Sequence, residues 1–184
     1  MRLGGLAGAA VGILVLVGAP LAAPPGRWTS AALMPEERTE VAVAAVDGRI
    51  YVVGGLGGGG ALLEFDPAGD RWRERAAPPA SLHHTGAVAV GSRLYVVGGY
   101  TPSWDPVAST LVYDPGRDQW REAAPMPTAR GALAVAVLGG RIHAVGGAGA
   151  GRRNTNAHEV YDPAGDRWTA LPPLPTPRDH HAAA

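Results

Sequence analysis

Ile50-Tyr51-Val52-Val53-Gly54-Gly55, Leu94-Tyr95-Val96-Val97-Gly98-Gly99 and Ile142-His143-Ala144-Val145-Gly146-Gly147 are three versions of one phrase: a short strand-like run ended by a glycine pair. A second phrase follows each of them. It is Phe65-Asp66-Pro67 ahead of Trp72, Tyr113-Asp114-Pro115 ahead of Trp120, and Tyr161-Asp162-Pro163 ahead of Trp168. In every case the aromatic lies seven residues before its tryptophan, and an acid (Asp70, Asp118 or Asp166) lies two before it. Trp28, Trp72, Trp120 and Trp168 are 44, 48 and 48 residues apart, and the glycine pairs are 44 and 48 apart. So many coincidences in one register define an internal repeat, which governs every other reading of the chain.

Each unit reads as four short strands. The first is a Val/Ala run: Val41 to Val46, Ala87 to Val90, and Ala132 to Leu138. A turn follows at Asp47-Gly48, Gly91-Ser92 or Gly139-Gly140. The second strand ends at the glycine pair and the third at the aromatic-Asp-Pro. The fourth starts at the tryptophan and stops at a proline cluster: Pro78-Pro79, Pro125-Met126-Pro127 or Pro172-Pro173. Short runs broken by turn signals predict an all-β array, and no window between them carries a helical period. Glycine accepts the positive φ of a crowded turn. Asp-Pro starts a turn through its fixed φ and its carboxylate. Tyr and Trp suit the space between sheets, because each carries a polar tip on a large ring. One such sheet cannot cover its own apolar faces, so neighbours must stack.

Composition excludes several classes. Glycine (27) and proline (17) make up nearly a quarter of the 184 residues, a level that suggests disorder in an unpatterned chain. Here they recur at fixed positions, and 46% of the residues are hydrophobic. Sixteen basic residues balance sixteen acidic ones, which leaves no electrostatic footprint for nucleic acid. There is no cysteine, which excludes disulfides, thiolate catalysis and zinc–thiolate sites. Lysine is absent, which excludes Schiff-base chemistry within the chain.

These units resemble the kelch repeat. The resemblance covers residues 27–184 and rests on three features: a Pro-rich start with arginine (Pro35 to Arg38, Pro125 to Arg130, Pro173 to Arg178), the glycine pair, and the aromatic-Asp-Pro-to-Trp spacing. It implies a β-propeller in which each repeat is one four-stranded blade. Leu82 stands where the second unit's arginine is expected. Phe65 replaces a tyrosine, and His143 replaces the second-strand tyrosine of the third unit. The expected layout is a lone fourth strand at 27–35, blades at 36–79, 80–127 and 128–175, and the start of a further blade at 176–184. Propellers have four to eight blades, so about three blades form an incomplete ring. The chain is therefore expected to be a piece of a longer propeller, poorly soluble or oligomeric by itself because of open strand edges; self-association to close the ring is the alternative.

Residues 1–26 read differently. Leu3 to Gly26 carry no charge, Arg2 precedes them, and Val11 to Val17 are apolar. The segment is read as a secretory signal or as an uncleaved membrane anchor. Pro20 and Pro24, which follow the small residues Ala19 and Ala23, hinder cleavage. Both readings place the rest of the chain outside the cytoplasm: secreted, periplasmic or on the cell surface.

Framework residues (Gly54, Gly55, Phe65, Trp72, Gly98, Gly99, Tyr113, Trp120, Gly146, Gly147, Tyr161 and Trp168) recur as packing requires and are read as structural. Binding candidates lie in the irregular connections after the glycine pairs. One holds Trp104 and Asp105, Trp104 being the sole tryptophan outside the repeat register; a tryptophan in a Pro-held loop suits an anchor. The other holds Arg152, Arg153, Asn154 and Asn156, suited to a carboxylate or sugar acid. For both loops the plain reading, a loop packed on its own blade or solvated, stays open. His83-His84 and His180-His181 open a first strand in successive units. Neighbours in a strand face opposite ways, so each pair offers at most one ligand to a common point, and repeat packing is preferred to a metal site. No catalytic motif is present, and no cofactor is expected.

Two functions follow as expectations. The first is a non-catalytic module binding a protein or carbohydrate, with no nucleic-acid partner and with membrane contact only through the N-terminal anchor. The second is an enzyme on the same scaffold. Galactose oxidase has kelch-type blades but needs a cysteine that this chain lacks. Bacterial sialic-acid mutarotases, exported and kelch-like, fit the N-terminal segment and the arginines better, with the active-site blades placed beyond residue 184. Fold alone does not decide between them.

Overall fold

The Val/Ala runs, glycine pairs and Asp-Pro turns fold into three four-stranded antiparallel sheets, each with its strands in chain order. The computed structural model describes residues 28–58 and 60–183. The signal or anchor reading of residues 1–26 lies outside these. Blade one is β1 (Ala42–Val46), β2 (Arg49–Val53), β3 (Leu62–Asp66) and β4 (Arg71–Arg75). Blade two is β5 (Gly86–Val90), β6 (Arg93–Val97), β7 (Thr110–Asp114) and β8 (Gln119–Ala123). Blade three is β9 (Ala134–Leu138), β10 (Arg141–Val145), β11 (His158–Asp162) and β12 (Arg167–Leu171). The first strands β1, β5 and β9 adjoin one another and form the inner edge. The ring is not closed.

Residues 28–35 form no strand, contrary to the expected lone fourth strand. A fourth strand needs a third to pair with, and among the described residues none stands beside it.

The core lies between blades. Tyr51, Val53 and Leu62 of blade one meet Leu94, Val96, Leu111 and Tyr113 of blade two. Tyr95, Val97 and Val112 meet Ile142, Ala144 and Tyr161 of blade three. Leu82, the residue standing in for an arginine, is buried in the first of these clusters. Where the arginine is present it fills a different need. Arg130 is 0% exposed. It donates to the carbonyls of Gly146 (2.8 Å) and Ala144 (3.1 Å) and pairs with buried Glu159 at 2.5 Å. A buried guanidinium is tolerated because every edge of it is satisfied.

Two devices join successive blades. At the outer edge, one residue of the preceding blade is gripped by both backbone groups. Ala76 donates its N–H to Asp118 (2.9 Å) and accepts from Trp120 Nε1 (2.7 Å). Ala124 does the same with Asp166 and Trp168 (2.8 and 2.9 Å). Ala32 repeats it with Asp70 and Trp72 (2.7 and 2.9 Å), so the N-terminal segment docks as a preceding blade does. Tyr113 and Tyr161 complete the grip by donating to Asp118 (2.6 Å) and Asp166 (2.7 Å); Phe65 has no hydroxyl to give. The Tyr113 hydroxyl, pushed up to about 12 by burial and by Asp118, keeps its proton at any ordinary pH. Hydrogen bonds from Tyr113 and from the Ala76 N–H hold Asp118 below the usual carboxylate range.

The glycine pair is the second device. Gly55, Gly99 and Gly147 donate to the carbonyls of Leu82, Arg130 and Arg178 in the following repeat (3.0, 2.9 and 2.8 Å). The first glycine of each pair has positive φ, and a Cβ there would meet that same carbonyl oxygen at 2.4–2.6 Å. Glycine is therefore required twice over, by φ and by the approach of the next repeat. Asp66, Asp114 and Asp162 are turn residues as expected. Each accepts backbone N–H groups just downstream, such as those of Ala68 and Gly69 at 3.1 and 3.2 Å.

Candidate functional site

The connection after Gly98-Gly99 is a closed loop. Thr101 N–H donates to the Asp105 carbonyl (2.9 Å), and Trp104 N–H donates to the Thr101 carbonyl (2.8 Å). One repeat later the loop recurs with other residues: Gly149 donates to the Arg153 carbonyl (3.0 Å), and Arg152 to that of Gly149 (3.1 Å). A 3-10 turn over Ala150–Arg152 lies inside this second loop. Trp104 and Arg152 are 48 residues apart and so hold the same register position. Both have left-handed backbone, φ 66° and 55°. That conformation is costly for a large L residue, and here it recurs with the loop in both repeats.

The two side chains meet. The Arg152 guanidinium carbon stands 4.0 Å from the Trp104 ring centre, a cation–π distance. Trp104 also packs on His83 (4.5 Å between centroids), His84 (5.2 Å) and Tyr100 (5.7 Å), and it remains 37% exposed. Trp104 thus rests on its own blade with part of its side chain open to solvent. Asn154 Nδ2 donates to Asp179 (3.2 Å), which joins the third blade's loop to the next repeat's opening. Of the six binding candidates, Trp104, Arg152 and Asn154 are therefore drawn into one rim. Asp105 and Arg153 sit exposed beside them. Asn156 lies elsewhere, donating to the Leu174 carbonyl (3.2 Å) as a strut.

Sequence reasoning missed the histidines' part. They do not stand in a strand, so the alternating-face argument does not apply. His84 and His180 have left-handed backbone, φ 56° and 45°. His83 and His84 face each other, Nδ1 to Nδ1 at 2.6 Å, with His83 Nε2 3.0 Å from the Thr101 carbonyl. His84 and His180 meet edge-on at 5.2 Å between centroids, and Glu40 Oε2 lies 3.3 Å from His84 Nε2. Burial holds the His84 imidazole below its ordinary pKa; Glu40 opposes this, and His83, His180 and Arg152 add to it. Burial raises the Tyr100 hydroxyl, with Asp179 reinforcing and Arg152 opposing. The missed signal was available: Glu40, His84, Ala132 and His180 are spaced 44, 48 and 48, the same intervals as the tryptophans.

The rim is therefore a cluster of aromatic rings, one guanidinium and several ionisable groups, where the connections into and out of the inner strands converge. It suits a ligand with a flat or apolar part and an anionic or polar part. At the other end of blade two a shallow cleft runs between Arg93, Asp114, Gln119 and Arg121. These are strand-end residues in regular repeat positions.

Residues 81–127 and 129–175 match a family described as Kelch motif, and residues 37–79 match a second family of the same description. No curated protein matches the chain. Among solved structures, that of YjhT superposes with a TM-score of 0.71 at 20% identity, over 83% of this chain. The chain spans 57% of the length of that structure. At this identity the likeness concerns the fold.

Proposed function

The chain belongs to the kelch-repeat family, and on that premise we propose that it is a non-catalytic binding module, working outside the cytoplasm, that holds a protein or glycan at the rim. The observation that carries this reading is the contact between Trp104 and Arg152, two register-equivalent residues whose side chains depart from the repeat and meet at 4.0 Å. The guanidinium lies over the indole, which backs it as a fork for a carboxylate, and the exposed part of the ring borders it as apolar surface. An acidic sugar or an acidic peptide carrying an aromatic residue matches that pair. The uncharged segment Leu3 to Gly26 supports an extracytoplasmic place. Among the described residues no helix is long and apolar enough to cross a membrane.

Calorimetry of the full chain against sialic acids, neutral glycans and acidic peptides tests the reading. The expected result is binding to an acidic class that Trp104→Ala and Arg152→Ala each weaken at least tenfold, about 1.4 kcal/mol. Binding that neither substitution alters counts against the rim. A second reading, an enzyme of the sialic-acid mutarotase type, is favoured by the ionisable groups Glu40, His84 and His180 beside the same rim. Accelerated exchange between sialic-acid anomers, followed by NMR, would select it over simple binding.

A further inference from the structure

Glu40, His84, Ala132 and His180 occupy one position in four successive repeats. Each has left-handed backbone, φ 55°, 56°, 52° and 45°. A relay of backbone hydrogen bonds links them: His84 N–H to the Glu40 carbonyl (3.1 Å), Ala132 to His84 (2.8 Å), and His180 to Ala132 (3.0 Å). Their backbones thus form an arc, and one donor atom each from Glu40, His84 and His180 lies within 4.8 Å of the others.

The hydrogen bonds around this trio orient it. The Thr101 carbonyl only accepts, so His83 carries a proton on Nε2, and in the tautomer with that single ring proton Nδ1 presents a lone pair. His84 Nδ1, 2.6 Å away, must then be the donor. That leaves the His84 Nε2 lone pair directed at the Glu40 carboxylate, 3.3 Å distant. Two acceptors thus face each other, with the His84 side chain only 6% exposed. His180 is held in the same manner: its Nδ1 is 3.1 Å from Asp179 Oδ2, and Asp179 in turn accepts from Asn154 (3.2 Å). Both imidazoles thus have a partner at Nδ1, so Nε2 is the nitrogen that each would offer a metal. That is the arrangement by which outer-shell partners orient metal-binding histidines.

We propose that Glu40, His84 and His180 bind a divalent transition-metal ion of the zinc class. Two imidazoles and one carboxylate are a zinc donor set, whereas calcium and magnesium take oxygen ligands. The 3.3 Å between His84 Nε2 and Glu40 Oε2 is close to the separation of about 3.4 Å that two ligands have around a tetrahedral zinc. Ala132, the fourth member of the arc, offers only a methyl group. One coordination position is thus left for an exchangeable ligand, as in zinc sites that bind or activate small molecules. The assignment does not depend on which ligand the rim takes, and the metal is tested alone.

The full chain, stripped by dialysis against a chelator, is titrated with zinc in competition with a chromophoric chelator, and with cobalt(II) to read coordination from its visible absorption. The expected result is one ion per chain with a low-coordinate cobalt spectrum. His180 and Glu40 are exposed, so His180→Ala and Glu40→Gln preserve the fold, checked by circular dichroism. Each should weaken zinc by more than the about 100-fold that loss of an outer-shell partner costs, and Asp179→Asn by about 10- to 100-fold. His143 and His158, a separate pair with ring nitrogens 3.0 Å apart on blade three, serve as the control. No zinc binding, binding unchanged in His180→Ala and Glu40→Gln, or binding that follows His143 and His158 would each overturn the assignment.

Discussion

Trp120 and Trp104 lie in the same blade and do opposite work. Trp120 closes a clamp: its indole N–H holds the Ala76 carbonyl at 2.7 Å while Asp118 holds the N–H of the same residue. Trp104 donates to no backbone of a neighbouring blade. It stands on two histidines and a tyrosine, under a guanidinium, with a third of its surface open. The first belongs to a set repeated at Trp72 and Trp168. The second shares its register position with an arginine. Packing between blades demands the same residue each time, whereas a ligand surface is made where register-equivalent positions differ.

Two arginines sharpen this contrast and carry the largest expected effect. Arg130 is enclosed, paired with buried Glu159 and bonded to three carbonyls. Arg130→Met leaves Glu159 charged and unpaired and should cost about 3–5 kcal/mol in urea denaturation. Arg152 is exposed on the rim. Arg152→Met should change stability by no more than about 0.5 kcal/mol. Similar losses for the two would break the division between frame and rim.

A smaller effect separates clamps within the frame. Blade two's clamp has the Tyr113 hydroxyl on Asp118 at 2.6 Å, and blade one's has Phe65 in that place. Tyr113→Phe should lower stability by about 1 kcal/mol, and Phe65→Tyr should add up to about 1 kcal/mol by supplying a donor toward Asp70. Thermal midpoints of the two single variants check both signs. If Phe65→Tyr destabilises, blade one's clamp is not built like the others.

How far the sequence carried the fold depended on repetition. The aromatic at minus seven and the acid at minus two from each tryptophan were visible because three blades need the same grip. What the grip holds was not visible, since Ala32, Ala76 and Ala124 offer only backbone groups and carry no side-chain signature. The glycine pair was legible as a turn. Its second reason, the carbonyl of the next repeat at 2.4–2.6 Å from an added Cβ, depends on a neighbouring repeat and appears only in three dimensions. Trp104 and Arg152 stand out separately in the sequence as irregular residues, and their shared register brings their side chains together. Glu40 escaped notice because it is the only acid in its arc, and the histidines beside it were read as strand residues when their backbone is left-handed.

Clamp residues hold the blades together, and rim residues are not needed for that. Urea unfolding of Trp120→Ala and Trp104→Ala, side by side, tests it most directly. Trp120→Ala should lose about 3 kcal/mol, from a large cavity and an orphaned Ala76 carbonyl. Trp104→Ala should lose about 1 kcal/mol or less, in line with a side chain already part-exposed. Equal losses, or a larger loss at Trp104, would contradict the account.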